Sequence, residues 1–80
     1  MKNEMMEKLV SLSVESNDFE VLYDGKMYLV ELELSLEENY DENDLKDFFS
    51  KDVYKLIKYD TLEYNGETYE RELIYYIREK

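Results

Sequence analysis

Eight carboxylates crowd into residues 31–47, where Glu31, Glu33, Glu37, Glu38, Asp41, Glu42, Asp44 and Asp47 face a single base, Lys46. The stretches on either side are closer to neutral, at net −3 over residues 1–30 and −1 over residues 48–80, so one segment holds most of the chain's −11. Carboxylate pairs can drive glycoside hydrolysis, but only in a deep cleft that raises the pKa of one partner. A chain of 80 residues has little material for such a cleft. The sequence has no histidine and no cysteine, and its two glycines, Gly25 and Gly66, are taken up by turns. Nucleophilic catalysis and phosphate cradling therefore lack their parts, and the reading is a non-enzyme with no catalytic residue and no cofactor. Asp41, Asn43 and Asp52 are oxygen donors in one stretch, but Leu45 and Lys46 stand where a calcium loop needs a donor and a glycine. No specific metal site is expected.

What an acidic segment can do is bind. Alternate carboxylates on one strand face lie ~6.8 Å apart and neighbouring strands ~4.8 Å apart, the length scale of phosphate spacing along nucleic acid. The net charge of −11 exceeds the magnitude of roughly 2–8 that keeps a small domain soluble. Such a field repels nucleic acids and anionic membranes and draws in basic surfaces, more weakly as salt rises. The expected partner is a basic nucleic-acid-binding protein, with neither direct nucleic acid nor a membrane as ligand. The candidate contact residues are the eight carboxylates together with Tyr40 and Tyr64, two aromatics flanked by acids. Tyrosine gives large contact area at low entropic cost, and Tyr76 is a third expected to be exposed. The plainer alternative is a solvated acidic edge that discourages aggregation.

These residues need elements to position them. Eighty residues make one domain, 1–80. Met5, Leu9 and Leu12, beside Met6 and Val10, recur at helical spacing and predict a helix over about 3–13. Asp24-Gly25 is a type I′ turn pair flanked by alternating side chains, predicting a hairpin over about 19–36. One face of it, Phe19, Val21, Tyr23, Tyr28, Val30, Leu32, Leu34 and Leu36, reads as core. Leu29 and Met27 on the other face are available to lie under the N-terminal helix. Asp41 or Asn43 can cap a helix over about 42–51, with Glu42 and Asp44 in its first turn and Leu45, Phe48 and Phe49 as its apolar stripe. Asn65-Gly66 predicts a second hairpin, about 56–77, with Leu62 opposite Tyr69 and Asp60 opposite Arg71. The expectation is α+β in the order α-ββ-α-ββ: an antiparallel sheet of about four strands with one or two helices packed on one face.

No run of about 18 apolar residues could span a bilayer, and Met1 to Ser13 lacks a signal peptide's apolar block. A cytoplasmic protein is expected. Its size, acidity, lack of catalytic residues and tyrosine-rich hairpins together resemble small phage-encoded inhibitors of host defence, especially anti-CRISPR proteins that mimic nucleic acid. The resemblance covers the whole chain and rests on composition rather than on a motif. It implies competition for the cationic site of a host nuclease complex, such as a CRISPR effector, in the host cytoplasm. Two alternatives stay open: a regulatory or antitoxin-like module with an apolar interface, and a structural protein that self-associates, as a homodimer for example, through a strand edge or the Met-rich helix.

Overall fold

The computed structural model describes the chain except Ser35, residues 37–40, Lys51 and the side chain of Asp44. It opens on a helix, α1 (Asn3–Ser16), that buries Met6, Leu9 and Val10. Two strands follow, β1 (Glu20–Tyr23) and β2 (Lys26–Leu32), then α2 (Glu42–Phe49), β3 (Tyr54–Tyr64) and β4 (Glu67–Glu79). α1 stops at Asn17, whose φ of 53° is left-handed. The Asn17 N–H donates to Val14 O at 3.3 Å and the Asp18 N–H to Ser13 O at 3.2 Å, the paired bonds of a Schellman C-terminus. Both hairpin turns have two positive φ angles, 51° and 76° at Asp24 and Gly25 and 52° and 79° at Asn65 and Gly66. The primed turn needs that geometry, and glycine adopts it without a Cβ penalty.

The strands form one sheet in the order β1-β2-β4-β3, with every neighbouring pair antiparallel. The class, element order and four-stranded antiparallel sheet are those the sequence predicts. Placement of the second helix is a correction. α1 covers the face bearing Val21, Tyr28, Val30, Leu56 and Ile77. Leu29 points the other way, into a second cluster with Leu36 and Phe48, against which Leu45, Val53 and Tyr76 pack. Side chains alternate across a strand, so apolar residues on both parities of β2 and β4 demand cover on both faces, and α2 supplies the second. Leu29 therefore lies under α2, not α1.

The first hairpin also departs from expectation. β2 ends at Leu32, Glu33 and Leu34 are helical, and Leu36 joins the α2-side cluster. Phe19 and Leu34, expected in the core, are 47% and 59% exposed. β2 pairs with β4 only from Leu32↔Tyr75 to Tyr28↔Glu79, whereas β3 follows β4 to Tyr64↔Glu67. The far half of the β3–β4 hairpin is thus a two-stranded ribbon reaching beyond the body. Thirteen residues of β4 extend about 40 Å, close to the long dimension of 43 Å. No described helix is long and apolar enough to cross a membrane.

Leu9 is fully buried and Val14, on the same helix, is 63% exposed. Leu9→Ala should cost about 2–5 kcal/mol in urea unfolding, and Val14→Ala less than about 0.5 kcal/mol. Equal losses would contradict the placement of α1.

Candidate functional site

The acidic segment is not gathered into one patch among the described residues. Glu31 is only 6% exposed, because its β2 position shares a side with Leu29 and pairs with Tyr76 on β4. It is an interior group engaged within the fold, and its expected role as a surface contact is corrected accordingly. Glu33 is partly buried and accepts a hydrogen bond from Tyr76 Oη at 3.2 Å. Tyr76, expected outside, has its ring against Phe49 with centroids 5.3 Å apart. Asp41, Glu42 and Asp47 are exposed and lie together on α2 and its approach. Glu42 pairs with Lys46 at 3.5 Å, and Asp41 is engaged within the fold. Glu37, Glu38, Tyr40 and the Asp44 side chain lie outside the described residues. Tyr64 is 65% exposed at the ribbon tip, on the α1 side of the sheet and hence across it from α2.

A different acidic surface emerges from strand register. On the α2 side of the ribbon, Glu63 pairs with Thr68, Thr61 with Glu70, Tyr59 with Glu72 and Ile57 with Ile74. Three exposed carboxylates, Glu63, Glu70 and Glu72, thus share one ribbon face with Tyr59 and two threonines. The bases close in sequence lie on the opposite face or at the body end of this one. Arg71 turns to the opposite face, where it binds Asp60, and the Arg78 guanidinium lies over the Phe48 ring at 5.0 Å. Lys55 shares the acidic side but sits at its body end, opposite Tyr76. Counting back from the Asn65-Gly66 turn places Glu63, Glu70 and Glu72 on one partly solvated face from sequence alone, and the register bears that out; the linear count of −1 for residues 48–80 is what kept it from the candidate contacts.

The α1 side of the ribbon is apolar and neutralised. Leu62 and Tyr69 are a cross-strand pair, each 48% exposed. Arg71 grips Asp60 with two guanidinium nitrogens, Nε at 2.8 Å from Oδ1 and Nη2 on Oδ2. Those hydrogen bonds hold the Asp60 carboxyl below its ordinary range, desolvation opposing them and the Arg71 charge adding to them. The same contact raises the Arg71 pKa. Tyr69 Oη donates to Glu67 Oε2 at 2.6 Å; that bond, with some desolvation, raises the phenol pKa. Among the described residues no three acidic, His or Cys side chains gather to hold a metal ion.

A depressed carboxyl pKa stabilises the folded ribbon above the unfolded aspartate value and loses that contribution as pH falls through the folded one. Carboxyl-carbon NMR should find Asp60 titrating below the ordinary aspartate range, and Arg71→Gln should move its midpoint upward. A midpoint indifferent to that substitution would contradict the geometry.

Comparison with family models, with curated proteins and with solved structures finds no match to the chain.

Proposed function

We propose that the chain is a non-catalytic acidic binding protein that blocks the basic, nucleic-acid-binding site of a partner protein by charge mimicry, the partner being a nuclease complex of host defence, with a CRISPR effector as the leading class. The observation that carries the reading is the ribbon face of Glu63, Glu70 and Glu72, which shares a side of the sheet with the α2 carboxylates. Alternate strand residues sit ~6.8 Å apart, so Glu70 and Glu72 are spaced much as successive phosphates are. Tyr59, 73% exposed on the same face, offers a ring to stack on arginine. The net charge of −11 supplies long-range steering toward a cationic groove. A sequence with neither histidine nor cysteine supports binding over catalysis.

A second reading has its own observation. Leu62, Tyr64 and Tyr69 are exposed together on the opposite ribbon face, which suits a regulatory or antitoxin-like partner met through apolar contact.

Passing a nuclease-treated host-cell lysate over the immobilised chain separates the two. Charge mimicry predicts retention of a nucleic-acid-binding protein that duplex DNA or raised salt releases, and that Glu63→Gln/Glu70→Gln/Glu72→Gln weakens about tenfold or more. Retention indifferent to salt and to that triple change, but lost in Leu62→Ala/Tyr69→Ala, would replace charge mimicry with the apolar reading.

A further inference from the structure

β3 is an edge strand: among the described residues it pairs with β4 alone. Which of its backbone groups are left over follows from the hydrogen bonds. The Lys80 N–H donates to Met27 O at 2.9 Å, so even-numbered β4 groups face β2 and odd-numbered ones face β3. β3 answers with its even-numbered residues, because Leu62 pairs with Tyr69 and Leu56 with Tyr75. The N–H and C=O groups of Lys55, Ile57, Tyr59, Thr61 and Glu63 therefore point outward along an open edge.

The sequence on that edge is complementary to its own reverse. Read outward from Tyr59 in both directions, Lys58 meets Asp60, Ile57 meets Thr61, Leu56 meets Leu62, Lys55 meets Glu63 and Tyr54 meets Tyr64. We infer that two copies of this chain pair antiparallel through β3, across a two-fold axis at Tyr59, making one eight-stranded sheet. The inference does not rest on the charge-mimic function, and it places Glu63, one carboxylate of that face, against Lys55 of the other copy.

Four observations favour this occupant and register. First, the outward-pointing residues 55, 57, 59, 61 and 63 are symmetric about 59, so their groups meet as hydrogen-bonded pairs, giving about ten interchain backbone bonds. Second, charge selects the register. Among the described residues Lys55, Lys58 and Glu63 form no ion pair within the chain. Centring on Tyr59 sets each lysine against an acid of the other copy, while centring on Lys58 or Asp60 sets like charges together and centring on Ile57 or Thr61 leaves both lysines unmatched. Third, shape agrees on the α1 side. Exposed Leu62 of one copy falls beside Leu56 of the other, which α1 covers. Tyr64 falls beside Tyr54, where Met1, Met5, Tyr28 and Tyr54 help line a hollow of about 390 Å³. Fourth, a two-stranded ribbon is marginal in water and further strands stabilise it. Other edges fit less well: β1 has only 4 residues, and the ribbon edge of β4 would set Glu70 near its own copy.

Sedimentation of the full chain over about three decades of concentration tests the inference. Wild type should pass from monomer to dimer. Lys55→Glu sets a glutamate against Glu63 of the other copy at each crossing, and Glu63→Lys sets lysines together; each should weaken dimerisation about tenfold or more. An equimolar mixture of the two variants should form a heterodimer, since every crossing pair is then of opposite sign, and that rescue also shows both variants to be folded. A wild type that stays monomeric throughout, or a dimer that both single variants leave intact, or variants that are folded by circular dichroism yet fail to associate when mixed, would overturn it.

Discussion

The structure depends on a short ladder between β2 and β4, where residues 28–32 pair with residues 75–79. Each hairpin is specified by its own turn, but only this ladder makes them one sheet, and its position decides what is left uncovered. It leaves β3 at the edge. It engages only the end of β4, so the rest of the second hairpin projects as a ribbon. It also sets β2 and β3 parallel, each being antiparallel to β4. The connection between them must cross the sheet, and α2 does so over the face that α1 leaves bare.

Covering both faces explains the fate of the acids. A charge placed under a helix must find partners or carry a desolvation penalty, and Glu31, beside Leu29 in β2, is buried and engaged. Glu33 accepts from Tyr76, whose ring packs on Phe49. These groups serve the junction between α2 and the sheet. On the ribbon the alternation of a strand keeps the exposed Glu63, Glu70 and Glu72 on one side while Asp60 and Arg71 neutralise each other on the other.

Local chemistry made much of the fold legible. Asp24-Gly25 and Asn65-Gly66 fixed two turns, and the registers follow from counting back: Val21 meets Tyr28 and Asp60 meets Arg71. The end of β2 was less legible because Leu32, Leu34 and Leu36 suit a strand's alternation while Leu32 and Leu36 also suit a helical period. Which face α2 covers is set by the crossover, a relation between distant strands that no short window contains. The candidate site was the least legible part. A linear charge count treats neighbours in sequence as neighbours in space, and in a strand adjacent side chains are on opposite faces. The count therefore pointed to residues 31–47, where Glu31 turns inward, and passed over the ribbon, where bases and acids part company.

Among the described residues β3 is an open edge, and the proposed second copy would pair with its outward backbone groups. Amide hydrogen exchange resolved by residue tests both most directly. The N–H groups of Leu56, Lys58, Asp60 and Leu62, which bond to β4, should be protected at every protein concentration. Those of Lys55, Ile57, Tyr59, Thr61 and Glu63 should exchange freely in dilute solution and become protected as concentration rises. Free exchange of this second set at all concentrations, or equal protection of both sets at high dilution, would contradict the account.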